Sequence, residues 1–318
     1  MNHVGVIGAG AFGTALASVM RIGGLDVTLW GRDRAQISAM QTEKMNVRYL
    51  NGVSLPDGLN VTTDLVDLRD ADVVLMVLPA QSLRGFLTES KFVTNAPVVL
   101  CAKGIENTTG LLQSQIFEGS HKAVLSGPAF AIDLTKGMPI AMSIGCSEKE
   151  LGAQLQETLS TQTLRLYRTQ DVTGVQLCGA LKNVYAIACG LAIGAGFGES
   201  TRAALMTRGF AELARLARSM GAQTETLTGL SGFGDLTLSC TSFQSRNFTF
   251  GEQLGRTGTF ETGKTVEGVV TAEAVLVLAQ KAGVEMPIAQ TVANILNGKQ
   301  QIREALAMLM SRPLKHKE

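Results

Sequence analysis

Short apolar runs alternate with longer helical stretches over about the first half of the chain. The runs are rich in β-branched residues and are Val4–Ile7, Val27–Trp30, Val61–Thr63, Val73–Leu78, Val98–Cys101, Ala123–Leu125, Ile140–Ile144 and Leu164–Tyr167. Continuous apolar strands separated by helices are typical of a parallel sheet that is covered on both faces. The pattern therefore predicts an α/β domain with a doubly wound, mostly parallel sheet.

Strand-like runs fade from about Val172 onward, and long helical patterns replace them. These patterns lie at Arg202–Met220, Thr271–Ala282 and Ile288–Leu296. We expect two domains, an α/β domain over residues 1–171 and an all-α domain over residues 172–318, because the chain is long enough for two.

The composition of the chain indicates a large core and argues against nucleic acid as a binding partner. The 318 residues are 45% hydrophobic and 17% charged, which predicts a large buried core. The 28 basic and 27 acidic side chains give a net charge of +1, so the protein lacks the basic field of a nucleic-acid-binding surface. Any attraction for an anionic substrate must therefore be local.

The cellular location is expected to be cytoplasmic. The first strand begins at Val4, which leaves no room for a leader segment. The five cysteines include no CxxC pair, and a scattered set of this kind suits reduced, structural thiols. The longest apolar stretch, Gly179–Gly196, contains Lys182 and Asn183, so it predicts a buried helix rather than integral membrane contact.

A glycine-rich motif, Gly8-Ala9-Gly10-Ala11-Phe12-Gly13, follows the first predicted strand and opens a predicted helix, Thr14–Arg21. In such a unit Gly8 permits a tight turn, Gly10 lets the backbone approach a pyrophosphate, and Gly13 allows close packing of helix on strand. The helix N-terminus then faces the anion. This context predicts a Rossmann-like site for a nicotinamide dinucleotide; a purely structural glycine turn is the alternative.

The end of the second strand bears on the choice of cofactor. An acidic residue here commonly binds the ribose hydroxyls of NAD, whereas a guanidinium suits the 2′-phosphate of NADP or stacks on adenine. Arg32 comes first and Asp33 follows it. We therefore expect NADPH to be preferred, while Asp33 leaves NADH open.

Two lysines are candidates for proton transfer and substrate binding. None of the three histidines lies in a motif-like setting, so a residue of another type should move the proton. Lys182 lies in a stretch that is apolar on nearly every face, and a buried lysine can act as a general acid or base near neutral pH. Lys103 follows the strand Val98–Cys101, at the sheet edge where ligands bind in α/β folds. The alternatives are a snorkelling or salt-bridged lysine at position 182 and an ordinary loop cation at Lys103.

A second polar group lies in the helical half. Gly232-Phe233-Gly234-Asp235-Leu236 predicts a glycine-rich turn that presents one carboxylate, and Ser245-Arg246-Asn247 predicts an anion clamp. If Ser245 caps a helix, the amides of that helix strengthen the clamp. A solvated loop is the alternative.

The order of these motifs resembles the NAD(P)-dependent glycerol-3-phosphate dehydrogenase family of the bacterial type. The resemblance covers roughly residues 3 to 310. Its motifs are Gly8–Gly13, Lys103-Gly104, Ser126-Gly127-Pro128 with Phe130-Ala131, Leu181-Lys182-Asn183, Gly234-Asp235-Leu236, Ser245-Arg246-Asn247 and Val266-Glu267-Gly268.

The resemblance implies reversible hydride transfer between dihydroxyacetone phosphate and sn-glycerol 3-phosphate, with no metal, by a homodimer that supplies phospholipid synthesis. Lys182 would accept and donate the proton, with Lys103 and Asp235 as the other catalytic residues. The cofactor would be held by Gly8, Gly10, Ala11, Phe12, Gly13, Arg32, Lys103, Ala131, Arg246, Val266 and Glu267. The substrate would be held by Lys103, Gly127, Ala129, Lys182, Asp235, Ser245, Arg246 and Asn247.

Three positions depart from the family's usual residues. Phe12 stands where relatives carry Trp or Tyr, Ala129 where a hydroxyl is common, and Tyr185 where an aliphatic residue is usual. None of them removes a charged group. Two rival functions are a related lysine-dependent reductase such as ketopantoate reductase and a non-catalytic NADPH sensor. The Ser245-Arg246-Asn247 motif counts against the first, and the two lysines with Asp235 count against the second.

Overall fold

A computed structural model describes residues 1–259 and 266–310. By its internal contacts the chain divides into two compact units. The first comprises Met1–Lys103 and Leu112–Gln176, and the second comprises Gly104–Leu111 and the chain from Leu177 onward. The domain boundary at residue 171 stays a prediction.

The first unit contains a mostly parallel sheet, as predicted. Within the described residues its strands are β1 His3–Ile7, β2 Asp26–Trp30, β3 Asn60–Thr62, β4 Val73–Met76, β5 Val98–Leu100, β6 Lys122–Ser126, β7 Ile140–Gly145 and β8 Leu164–Thr169. Their order across the sheet is β3-β2-β1-β4-β5-β6-β7-β8. The order turns back on β1, so the chain winds outward in both directions as in a Rossmann-like fold.

One pair of strands departs from the parallel arrangement. β6 and β7 are antiparallel, with Leu125 opposite Ile144. Residues 127–139 connect the two strands and include a helix of five residues, Ala131–Thr135. The next pair, β7 and β8, is parallel again.

Helices cover the sheet and bury its apolar side chains. They are α1 Ala11–Ile22, α2 Arg34–Glu43, α3 Leu83–Ser90, α4 Gln113–Ile116, α5 Ala131–Thr135 and α6 Lys149–Leu159. In α1 the residues from Gly13 to Met20 are all buried. The central strands are buried on both faces, for example Val4, Val6 and Leu75 at 0% exposure, which explains their continuous apolar sequence.

The second unit is helical. The helices are α7 Val172–Gly194, α8 Glu199–Ser219, α9 Thr224–Thr228, α10 Asp235–Thr241, α11 Arg246–Thr257, α12 Glu267–Ala282, α13 Pro287–Leu296 and α14 Ile302–Met310. The three helices predicted here correspond to α8, α12 and α13. In the described part of the chain α7 alone is long and apolar enough to cross a membrane, and most of it is buried inside the protein, as in a core helix.

Glycines let α7 and α11 cross at backbone contact. A Cβ on Gly190 would lie 2.1 Å from the Phe248 carbonyl oxygen, and one on Gly251 would lie 2.3 Å from that of Ile187. Real side chains cannot approach this closely, so each of these positions requires glycine. The crossing fixes α11, whose first turn carries Arg246, against the helix that carries Lys182.

Candidate active site

The glycine loop has the form that a pyrophosphate requires. Gly8 adopts a φ of +121°, which L side chains rarely adopt. A Cβ on Gly13 would lie 1.9 Å from the Gly8 carbonyl oxygen, so α1 packs directly on the turn. A Cβ on Gly10 would meet nothing within 4 Å, so this backbone faces open space at the N-terminus of α1. The residues present therefore fit a dinucleotide, and the open face is the cradle that a larger residue would fill.

Lys103 lies at the same carboxyl edge of the sheet. Its Nζ donates to the carbonyl oxygen of Gly127, at 2.8 Å, and lies 5.8 Å from the ring centre of Phe12. Gly127 has a φ of +153°, and a Cβ there would lie 2.8 Å from Cα of Met142. The structure thus brings three predicted site residues of the first unit together. Phe12 serves as a flat apolar support for the ammonium, consistent with a cation–π contact.

Two further predicted residues follow Gly127. Ala129 is half-buried, and Ala131 is the first residue of the short helix α5. Neither has a side chain that can form a hydrogen bond, so any contact from them to a ligand must come from the backbone.

Arg32 and Asp33 have different environments at the end of β2. Arg32 is exposed, whereas Asp33 is the N-cap of α2. Its Oδ1 accepts hydrogen bonds from the backbone N–H groups of Ala35 and Gln36, at 3.0 and 3.2 Å. The Gln36 bond, with help from Ala35 and a neighbouring arginine, lowers the pKa of the Asp33 carboxyl. Asp33 therefore caps α2, and two backbone N–H groups already donate to its carboxylate.

The second unit contains a buried lysine–carboxylate pair. Lys182 Nζ donates to Oδ1 of Asp235 at 2.5 Å and to Oγ of Ser239 at 2.8 Å. The exposed fractions are 7% for Lys182, 0% for Asp235 and 2% for Ser239. The salt-bridge alternative and the functional hypothesis for Lys182 are thus compatible. A buried ammonium is tolerated here because a carboxylate and a hydroxyl accept its hydrogen bonds.

The glycine-rich turn predicted around Asp235 is helical instead. A π-helical segment, Leu230–Gly234, leads directly into α10, and Asp235 is the first residue of α10. A Cβ on Gly232 would lie 1.9 Å from the Leu227 carbonyl oxygen, so glycine is needed to wind the chain this tightly. The expectation of a turn was wrong, and the solvated loop is excluded by the burial of Asp235.

The predicted anion clamp begins a helix. Ser245 is the N-cap of α11, and its hydroxyl accepts from the backbone N–H of Phe248 at 3.3 Å, which confirms the expected cap. Arg246 occupies the first helical position and is exposed. The arrangement places a guanidinium and the first-turn amides at one helix end, a combination that binds phosphate.

Asn247 joins three segments of the second unit. Its Nδ2 donates to Oδ1 of Asn183 at 2.9 Å, and its Oδ1 accepts from the backbone N–H of Gly268 at 2.9 Å. Gly268 lies in the first turn of α12, directly after Val266, the N-cap, and Glu267. Predicted substrate and cofactor residues therefore meet around Asn247.

Sequence reasoning missed Ser239 and Asn183. Ser239 lies one helical turn after Asp235, so the i, i+4 spacing in a helix could have indicated it. Asn183 follows Lys182 and is 4% exposed, and its polar side chain within an apolar stretch is the signal that could have indicated it. The described residues contain no group of three or more His, Cys, Asp and Glu side chains that could hold a metal ion.

A glycine loop on a parallel sheet and a buried lysine–carboxylate pair together define a nicotinamide-dependent oxidoreductase. Comparison with known proteins makes this specific. The family model for the N-terminus of NAD-dependent glycerol-3-phosphate dehydrogenase matches residues 3–152, and the model for its C-terminus matches residues 171–307. The chain belongs to the NAD-dependent glycerol-3-phosphate dehydrogenase family.

Individual relatives agree over the full length. The chain is 49% identical to glycerol-3-phosphate dehydrogenase [NAD(P)+] of Roseobacter denitrificans, an alignment that covers 98% of this chain and 99% of that protein. It is 50% identical to the protein of the same name from Paracoccus denitrificans, with 98% and 99% covered. A crystal structure of glycerol-3-phosphate dehydrogenase from Coxiella burnetii superimposes with a TM-score of 0.92 at 34% identity, covering 98% of this chain and 99% of that one.

Proposed function

We propose that Lys182, Asp235 and the Ser245-Arg246-Asn247 clamp carry out the family's reaction, reduction of dihydroxyacetone phosphate to sn-glycerol 3-phosphate. The observation that carries this proposal is the buried Lys182–Asp235 pair, with Nζ and Oδ1 2.5 Å apart. Its burial gives the ammonium a low-dielectric setting, in which interactions with a developing negative charge are strong.

Lys182 exchanges the proton. In reduction its ammonium donates a proton to the carbonyl oxygen of dihydroxyacetone phosphate, so that the oxygen becomes the hydroxyl of the product. In oxidation its neutral amine accepts the same proton. Asp235 and Ser239 accept hydrogen bonds from Nζ and hold it in one position, which is the requirement for general acid catalysis.

The clamp binds the phosphate group. The exposed guanidinium of Arg246 and the first-turn amides of α11 supply hydrogen-bond donors and positive potential. The Asn247 amide already bonds Asn183 and Gly268, so we assign it the task of holding the clamp as well as lining the substrate site.

The first unit holds the cofactor. Gly8, Gly10 and Gly13 give the backbone its close approach to the pyrophosphate, and Ala11, Phe12 and Ala131 line the cradle. Val266 and Glu267 stay candidate cofactor-binding residues of the second unit. Lys103 adds a cation that contacts both cofactor and substrate, together with Gly127 and Ala129. When bound, the nicotinamide supplies or accepts the hydride.

NADPH is the preferred cofactor in this proposal. Asp33, the residue that could have favoured NADH, is engaged as the cap of α2, and Arg32 is exposed beside it. A guanidinium at this point suits the 2′-phosphate.

The wider setting is also a proposal. We place the protein in the cytoplasm as a homodimer that supplies glycerol 3-phosphate for phospholipid synthesis. All five cysteines are buried and none forms a disulfide, which suits a reducing compartment. Sedimentation equilibrium at micromolar concentration tests the dimer.

Comparison of two substrates tests the reaction. Turnover of dihydroxyacetone phosphate with NADPH should be readily measurable, and turnover of ketopantoate should be absent. Activity on ketopantoate alone would replace this assignment by that of a related reductase. NADPH binding without turnover of either substrate would support a sensor.

A further inference from the structure

A second arginine lies beside the end of β2. Arg48, in the loop after α2, donates from Nη1 to Oδ2 of Asp33 at 3.0 Å. Its guanidinium carbon lies 5.3 Å from the ring centre of Tyr49. The side chain is 61% exposed, so its remaining N–H groups can reach a ligand. The negative charge of Asp33 is therefore balanced by Arg48, which lies in a separate segment of the chain.

The loop that carries Arg48 is fixed to the glycine loop. Asn46, which is 0% exposed, donates from Nδ2 to the Ala9 carbonyl oxygen at 3.0 Å and to Oγ1 of Thr14 at 2.8 Å. Gln36 of α2 donates to the same Ala9 oxygen at 2.6 Å and to Oδ1 of Asn46 at 3.3 Å. A buried amide with these partners is costly to displace, so the segment is anchored where the dinucleotide binds.

These contacts place a guanidinium where an NAD-specific site would present a carboxylate. Asp33 uses Oδ1 to cap α2 and Oδ2 to bind Arg48, so each oxygen already accepts a hydrogen bond from within the protein. The carboxylate instead orients Arg48. We propose that Arg48 is a second reader of the 2′-phosphate of NADPH, held by Asp33 and by the Asn46 anchor, and that it acts together with Arg32. This inference rests on the proposed cofactor site and adds a specificity-determining residue to it.

Direct binding tests the inference without catalysis. Calorimetric affinities would be measured for NADP⁺ and NAD⁺, and for the fragments adenosine 2′,5′-bisphosphate and 5′-AMP, in wild type and Arg48→Met. We expect about a tenfold loss of affinity for the two ligands that carry a 2′-phosphate, since one charged donor is removed. Affinity for the other two should stay within about twofold. The difference in affinity between wild type and Arg48→Met for the two ligands that carry a 2′-phosphate should become smaller at high salt, because the charge of an exposed cation is screened.

The matched control is Arg34→Met. Arg34 is exposed and begins α2 next to the same carboxylate, and it forms no ion pair among the described residues. Its variant should bind all four ligands as wild type does. Equal losses for both ligand pairs in Arg48→Met, or no loss, would overturn the role of Arg48. In either case wild-type turnover of dihydroxyacetone phosphate with NADPH would leave the proposed function standing.

Discussion

The ammonium of Lys182 and the carboxylate of Asp235 form an ion pair inside the second unit, with Nζ 2.5 Å from Oδ1. The side chains are 8% and 0% exposed. A buried ion pair gains little net stability over well-packed apolar residues, because both charges lose their water. The pair is therefore better explained by chemistry than by folding.

The first prediction concerns the proton. Lys182→Met should lower the rate of NADPH oxidation with dihydroxyacetone phosphate by about a thousandfold, because general acid catalysis is lost. NADPH affinity should be nearly unchanged, since Lys182 is not among the residues that we propose to hold the cofactor. Steady-state kinetics and calorimetry measure the two quantities. Lys299→Met, at an exposed position, is the control. Wild-type turnover in Lys182→Met would remove this lysine from the mechanism.

A second prediction follows from the cost of an unpaired buried charge. Lys182→Met alone should lower the free energy of unfolding by about 3 kcal/mol or more, because Asp235 loses its cation. Adding Asp235→Asn should recover at least half of that loss. Urea unfolding of both single variants and the double variant measures the coupling. Additive losses would show that the two side chains do not interact energetically.

Most of the fold, and those parts of the site that depend on neighbouring residues, could be predicted from the sequence. The runs that form β1 to β8 in the described residues were all predicted. The central strands are continuous apolar runs because they are buried on both faces, whereas β8 alternates buried and exposed residues in its first half. The cap at Ser245 was also predictable, because a helix cap depends on residues that are close together in the chain. The reversal at β7 was not predicted, because the apolar run of a strand does not show the direction in which it pairs with its neighbour.

Long-range partners were beyond local patterns. Asp33 is one case: its capping of α2 is local, whereas its ion pair with Arg48 joins residues 15 positions apart. The departure at Tyr185 is another case. Its ring fits because a Cβ on Gly209 would lie 2.7 Å from it, and its hydroxyl donates to Glu212 at 3.4 Å. Such contacts form where two helices pack together, and a single sequence does not show which helices do so.

A third prediction tests the crossing of α7 and α11. Gly251→Ala should destabilise the protein by about 2–3 kcal/mol, because its Cβ would lie 2.3 Å from the Ile187 carbonyl oxygen and the helices must separate. The KM for dihydroxyacetone phosphate should rise as α11 moves. Thermal unfolding and kinetics measure both effects.

The control for the helix crossing is Gly85→Ala, whose expected effect on stability is opposite to that of Gly251→Ala. Gly85 lies inside α3, is exposed, and a Cβ there meets only Oε1 of Glu89, at 3.9 Å. Gly85→Ala should therefore stabilise the protein by up to about 1 kcal/mol through helix propensity. A stabilising Gly251→Ala would show that the two helices do not need backbone contact.

The last prediction concerns Glu212 and pH. This carboxylate is 1% exposed, and it accepts from the backbone N–H groups of Ile288 and Ala289, at 2.9 and 3.0 Å, in the first turn of α13. Burial raises the pKa of the Glu212 carboxyl above its usual value of about 4.5, although the two backbone bonds partly oppose the shift. The folded state therefore holds this proton more tightly than the unfolded state does. Its contribution to stability is complete below the unfolded pKa and is lost as pH rises through the folded pKa.

The variant Glu212→Gln separates the contribution of Glu212 to the pH dependence of stability, because glutamine does not titrate. The contributions of the other titratable groups cancel when the unfolding free energies of the variant and the wild type are subtracted. The unfolding free energy of wild type minus that of Glu212→Gln should fall as pH rises above about 4.5. Denaturant unfolding from pH 4 to pH 8 measures the difference. Glu285→Gln, an exposed carboxylate just before α13, shows whether the effect belongs to the buried position. A difference that rises with pH would mean that the backbone hydrogen bonds outweigh burial and that Glu212 caps α13 as a stabilised anion.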